Sequence, residues 1–185
     1  DIEATLRLFR HFGENIRPSP GIKTVMANET FCGLLRAFHE SNIAQHPHRE
    51  VVCSYYEMAV RYHLLFLKKE YEELLAPLLS AMSGTTGIQH VHPRVRSRCC
   101  YLFLRLVKPM VPLLRPYVET AVSGIQGLLS NAELQLRPDD TMYLFETIGL
   151  LLGKTGLDPN DQLRYLTSVI TPHMMSIEKI LSSIH

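Results

Sequence analysis

The sequence predicts an all-α fold in which helical hairpins repeat along the chain. Apolar residues recur at three- and four-residue spacing almost throughout, and no stretch alternates long enough to make a strand. Turn-forming residues break this pattern at short intervals. Pro47, Pro93 and Pro138 each stand just before or at the start of a long helical pattern, 46 and 45 residues apart. The fixed φ and missing N–H of proline suit the first turn of a helix. A second proline follows in or before the second helix of each unit: Pro77, then Pro112 or Pro116, then Pro172. A helical-hairpin period of about 40–47 residues is that of HEAT and armadillo repeats. Two near-equal intervals weigh against the alternative, a closed all-α bundle. The expected fold is therefore a HEAT-repeat α-solenoid of about four hairpins and about eight helices. It is a single segment with repeats at about 1–43, 47–82, 92–131 and 138–184.

Taken in order, residues 2–12 place Ile2, Leu6, Phe9 and Phe12 on one stripe, and Pro18, Pro20 and Gly21 then break the helix. A second helix fits 25–39, with Phe31, Leu34, Leu35 and Phe38 apolar, and Asn42 to Pro47 reads as a turn. One long pattern runs from His48 to about Leu67 and a shorter one from about Glu70 to Met82, ended by SGTTGIQH at 83–90. The segment HPRVRSRCCYLFLRLVK at 92–108 opens the next hairpin, followed by a helix over 117–129. Two more helices fit 139–152 and 161–181, parted by GKTGLDPN. A solenoid hairpin buries its face only against its neighbours. Ile177, Ile180, Leu181 and Ile184 are still apolar near the C-terminus, and the chain opens at Asp1 with helical pattern already under way. The expectation is an internal segment of a longer superhelix.

Composition narrows the function classes. The net charge of +1 makes a whole-chain polyanion binder unfavourable, so any attraction must come from a local patch. Such a patch exists: between Glu73 and Glu119 lie six basic residues and no acid. Cys32, Cys53, Cys99 and Cys100 form no CxxC pair, which points to reduced thiols. No apolar run approaches twenty residues, so membrane insertion is not indicated. A monomer is expected.

On a helical wheel, Arg94, Arg98, Tyr101, Arg105 and Lys108 fall on one face, while Val95, Cys99, Leu102 and Leu106 form the opposite, apolar stripe with Phe103 beside it. Guanidinium groups bind phosphates bidentately and tyrosine stacks, so this face can touch an RNA backbone. The candidates are Arg94, Arg96, Arg98, Arg105 and Lys108. The plainer reading is a solvated face, or arginines bridging to carboxylates of the neighbouring repeat. The second helices of the hairpins are not strongly basic, and Glu70, Glu72 and Glu73 form an acidic patch that either meets a basic partner or is simply solvated.

Other chemistry finds little support. The pairs His46/His48 and His90/His92 lie in turns without a cysteine or carboxylate cluster at finger-like spacing, so no metal site is expected. Cys99–Cys100 reads as two helical thiols, with Cys99 facing the core. The stretch GKTG at 153–156 lacks the full phosphate-loop pattern and follows a helix rather than a strand. No nucleophile elbow or paired-carboxylate motif occurs, so neither an enzyme nor a cofactor is expected.

The stretch VRSRCCYLFLRLVK at 95–108 resembles the R-S-R-x-x-Y-L-F-x-R-x-V-K segment of the tRNA exportins, members of the importin-β-like karyopherin family. DIEATLRLF at 1–9, the Tyr-Glu-x-x-Val-Arg-Tyr run at 56–62, DD-x4-FET-x-G at 139–149 and LT-x3-TP-x-M at 166–174 resemble the same family in the same order. The resemblance implies an interior piece of a HEAT superhelix that binds tRNA together with RanGTP in the nucleus. It also implies passage through nuclear pores by contact with pore proteins and release of cargo in the cytoplasm. The receptor would shuttle between the two compartments and catalyse nothing. The rival expectation is a HEAT-repeat protein-interaction scaffold without RNA binding.

Overall fold

Asp1 begins the first helix by accepting a hydrogen bond from the Glu3 amide at 3.1 Å. This is the side-chain cap that the orphan amides of a helix start require. The computed structural model describes residues 1–16 and 21–183. Its α-helices are α1 (Ile2–Asn15), α2 (Gly21–Met26), α3 (Glu29–Glu40), α4 (Arg49–Arg61), α5 (Leu75–Ser83), α6 (Pro93–Leu114), α7 (Val118–Ser130), α8 (Pro138–Lys154) and α9 (Pro159–Ser182). No strand occurs among the described residues, and the architecture is the expected all-α repeat solenoid. Pro18, Pro20 and Ile184 lie outside the described residues.

Helices α1, α4, α6 and α8 pack side by side in chain order, each against the next. Behind this layer α5 packs on α6, α7 on α8, and α9 on both α7 and α8. The core runs between the layers. Helix α4 is buried at Val51, Val52, Tyr55, Tyr56, Met58 and Ala59, and α6 at Val95, Cys99, Leu102, Phe103 and Leu106. The apolar stripe expected on 92–108 is thus the buried side. In α1, Leu6 is buried and Phe9 packs between Phe31 and Phe38, but Ile2 and Phe12 stay half exposed.

The helix ends differ from expectation in four places. The single helix expected over 25–39 is divided, because Asn28 takes an extended conformation and caps α3 by accepting from the Phe31 amide at 2.9 Å. The pattern over 48–67 leaves the α-helix at Arg61, after which residues 63–67 form a 3₁₀ turn that buries Leu65 and Phe66 completely. Residues 69–74 are likewise 3₁₀, so the helix expected from Glu70 starts as α5 at Leu75. Conversely, α6 continues through Pro109 and Pro112 to Leu114. An interior proline costs about 3 kcal/mol. Burial of Met110, Val111 and Leu114, at about 1.5–3 kcal/mol each, offsets most of that. Pro112 therefore belongs to the first helix of its hairpin, and Pro116 stands in the 3₁₀ turn before α7.

The turn after α5 needs glycine for a steric reason. The Ile88 amide donates to Met82 O at 2.7 Å, and a Cβ on Gly87 would fall 1.9 Å from that same oxygen. Thr86 Oγ1 donates to Ala81 O at 2.9 Å and lies 3.0 Å from Tyr56 Oη, tying the turn to α4. At the C-terminal end only Val169 of α9 is buried, while Leu163, Leu166, Ile170, Met174 and Ile177 line an exposed apolar stripe. Among the described residues no helix is long and apolar enough to cross a membrane.

Candidate functional site

The basic side of α6 faces a polar groove of about 900 Å³ that crosses all four helices of the first layer. Arg7 and Arg10 enter it from α1, Glu50 and Glu57 from α4, Arg94, Arg98 and Tyr101 from α6, and Asp140 and Tyr143 from α8. A second groove of about 560 Å³ adjoins it and adds Glu14, Arg61, His63, Arg105 and Lys108. Among the described residues, nine lysines and arginines line the two grooves against four carboxylates, a surplus of five positive charges.

The structure divides the five basic candidates of the sequence by what they touch. Arg98 donates through both Nε and Nη2 to Glu57 Oε1 at 2.6 Å. The other oxygen of Glu57 is paired with Arg10, so one carboxylate clamps α1, α4 and α6 together. Arg94 reaches Glu50 at 3.2 Å. Arg96 donates to the carbonyls of His90 and Val91, each at 3.0 Å, closing the turn that leads into its own helix. Arg105 meets no carboxylate among the described residues: its Nη1 donates to Tyr101 Oη at 2.8 Å. Lys108 is exposed and has no side-chain partner among the described residues. The guanidiniums of Arg98 and Arg105 both lie over the Tyr101 ring, at 5.2 and 5.7 Å from its centroid. Tyr101 in turn meets Tyr143 edge-on at 5.5 Å.

Polar and charged residues that were not among the sequence candidates complete this face. Asp140 is buried and accepts from the amide and Nε of Arg137 at 3.1 and 3.3 Å, capping α8. Ser97 of α6 donates to Asp140 and accepts from Arg137, linking α6 to α8. Arg61 donates to the carbonyls of Gly13 and Ile16, and Tyr62 Oη donates to Phe9 O at 2.7 Å, which pins the end of α1 to α4. These partners stand one repeat apart: 41 residues for Arg98–Glu57, 43 for Ser97–Asp140 and 47 for Arg10–Glu57. For the two ion pairs the sequence carries that signal as opposite charges one proline period apart. It becomes readable only once helix faces are fixed.

The remaining ionisable groups named in the sequence are held by burial or by backbone contacts. Burial pushes the Cys53 thiol up to about 11 and Cys100 up to about 12, and raises Cys99 as well. At neutral pH all three are held as unreactive thiols. His46 Nδ1 accepts from the His48 amide at 3.0 Å, and His90 Nδ1 from the His92 amide at 2.9 Å. Both H-x-H pairs therefore act as turn locks ahead of α4 and α6. Burial, then His92 and Arg96, lower the pKa of His90, which keeps its ring neutral and able to accept. Among the described residues no three His, Cys, Asp or Glu side chains gather as a metal would require.

A family model described as Exportin-T matches residues 1–185. Similar curated proteins include Exportin-T of Neurospora crassa, 31% identical over 93% of this chain and 19% of that protein. Exportin-T of Danio rerio is 27% identical, and Exportin-T of Homo sapiens 24%, each over 100% of this chain and 20% of its own length. The chain thus spans about a fifth of the length of the curated relatives it matches.

Proposed function

The chain belongs to the Exportin-T family, and from that premise we propose that it is a segment of a nuclear export receptor that carries tRNA from nucleus to cytoplasm in a RanGTP-dependent complex. In this reading the receptor is a monomer that shuttles through nuclear pores by contact with pore proteins. It needs no cofactor and catalyses no reaction. The segment serves as superhelical scaffold, and its first-layer groove contributes contacts to the tRNA backbone.

The observation that carries this reading is the surplus of five positive charges along the two adjoining grooves. Phosphate neutralisation releases counterions and rewards such an excess without reading sequence. The five candidates enter on unequal terms. Arg105 and Lys108 are held by no carboxylate among the described residues and are immediately available. Arg94 and Arg98 must first leave Glu50 and Glu57. Arg96 is engaged with backbone carbonyls.

The test replaces Arg105 and Lys108 with alanine in the full-length receptor and follows tRNA affinity against salt, with RanGTP present. Each lost phosphate contact should flatten the slope of log affinity against log salt by about 0.7–0.9. Arg94→Ala with Arg98→Ala should flatten it less. An unchanged affinity and slope for the Arg105/Lys108 pair removes the groove from tRNA binding.

The carboxylate pairing of Arg94 and Arg98 favours a second reading, in which this face only welds repeats together and the segment is a protein-interaction scaffold. A protein partner recovered equally well before and after RNase treatment would support it.

A further inference from the structure

On the opposite side of the slab a second kind of groove lies between α5 and α7. It has a volume of about 570 Å³, within the range of about 300–1,000 Å³ typical of ligand pockets. Phe103 and Val107 of α6 and Leu151 of α8 form its floor, and Leu79 and Leu128 stand on its walls. Both walls also present small side chains at helical spacing: Ala76, Ser80 and Ser83 on α5, and Thr120 and Gly124 on α7. A Cβ built on Gly124 meets nothing within 4 Å, so the mouth is open at that point. Small residues on facing walls let another backbone approach closely while the apolar floor takes its side chains.

The charge of this groove is opposite to that of the first-layer face. Among the described residues its charged lining residues are Glu72 and Glu73, and no lysine or arginine lines it. Arg36 lies 3.9 Å from Glu73, but its closer partner is Glu40 at 2.6 Å. An apolar trough with an acidic rim repels phosphates and suits a segment that carries cations beside its apolar residues. A helix with i, i+3, i+4, i+7 anchors is the standard occupant of such a groove.

We propose that the α5–α7 groove docks a basic amphipathic protein helix, its apolar residues seated on Phe103 and Val107 and its lysines or arginines facing Glu72 and Glu73. The inference is independent of tRNA binding, because it uses the other face of the layer pair and the other sign of charge.

The test measures binding of a fluorescent leucine–lysine amphipathic peptide to the full-length protein by anisotropy, with a leucine–glutamate peptide of the same pattern beside it. The lysine peptide should bind and the glutamate peptide should not. Gly124→Leu fills the mouth at an exposed helical site where leucine is the better helix former. It should weaken the lysine peptide at least tenfold with the fold intact. Gly127→Leu, also exposed on α7 with nothing within 4 Å of its Cβ but outside the groove, should leave binding unchanged. Glu72→Lys with Glu73→Lys should weaken binding about tenfold at low salt and remove most of its salt dependence. Equal binding of the two peptides, or a lysine peptide indifferent to Gly124→Leu, overturns the proposal. So does a groove that instead pairs two copies of the protein, seen as a dimer that Gly124→Leu dissociates, or one that captures RNA in competition with the peptide.

Discussion

Replacing Glu57 with glutamine removes the negative charge that Arg10 and Arg98 share while keeping the shape of the side chain. Glu57 is 12% exposed, Arg10 31% and Arg98 40%, so the clamp is neither a surface pair nor a buried one. An exposed pair contributes about 0.2–1 kcal/mol, and stripping one partner from a fully buried pair costs about 3–5 kcal/mol. Arg98 loses its carboxylate while Arg10 keeps Glu14 at 2.9 Å, which places the loss between those limits, at about 2 kcal/mol. For a chain of this length that lowers the melting temperature by roughly 4–8 °C. Arg98→Ala should cost less, since Glu57 keeps Arg10, and a double-mutant cycle in urea at 25 °C measures the coupling. If the groove touches tRNA, the same Glu57→Gln change works in the opposite direction on binding. Arg10 keeps Glu14 at 2.9 Å, so the change frees Arg98 alone, which should raise tRNA affinity in the full-length receptor and steepen its salt slope by about 0.7–0.9, one phosphate's worth. Stability unchanged within about 0.3 kcal/mol would show that the clamp contributes nothing to folding. Lower tRNA affinity despite the freed Arg98 would refute the link between clamp and groove.

Further outcomes follow from single positions. A Cβ at Gly13 falls 2.7 Å from Arg61 Cγ and 2.9 Å from Tyr62 Oη, so Gly13→Ala should destabilise the chain by about 1–3 kcal/mol in urea unfolding. Gly33→Ala, in the exposed middle of α3 with nothing within 4 Å, should stabilise it by about 0.5–1 kcal/mol in the same assay. His39 packs against Phe66 and bonds Tyr55 at 3.0 Å, and burial lowers its pKa to about 4. Its neutral ring favours folding above the unfolded value near 6.5, and that stability is lost as pH falls from there towards 4, by up to about 3 kcal/mol. Urea midpoints at pH 7 and pH 5 should therefore drop less for His39→Gln than for the parent chain, and equal drops would contradict the assignment.

The parts of the fold that follow local rules were legible in the sequence. Pro93 and Pro138 stand at the first position of α6 and α8 because their missing N–H is an orphan there. The stripe Val95, Cys99, Leu102 and Leu106 is buried because the 3.6-residue period puts it on one side. What stayed hidden depends on neighbours distant in sequence. Pro109 and Pro112 read locally as a helix end, yet burial of Met110, Val111 and Leu114 carries α6 past them. The helix over 48–67 stops at Arg61 where Arg61 and Tyr62 are drawn onto the end of α1. The basic face of α6 was likewise legible as a face but not as a mixture. Arg94 and Arg98 are claimed by glutamates one repeat earlier, whereas Arg105 and Lys108 are not, and nothing within 92–108 distinguishes them.

The ties through Glu50, Glu57 and Asp140 all lie on one side of the slab, and the other side carries an open trough between α5 and α7. In mechanical terms such a slab has its stiff skin on one surface, so it flexes like a hinge backed by tape. Bending that spreads the first layer stretches charge-assisted bonds, whereas bending that opens or closes the trough deforms only apolar contacts and empty space. The easy direction of curvature is therefore built in. Rising salt, which weakens the stitched skin and leaves the trough untouched, should soften the hard direction first.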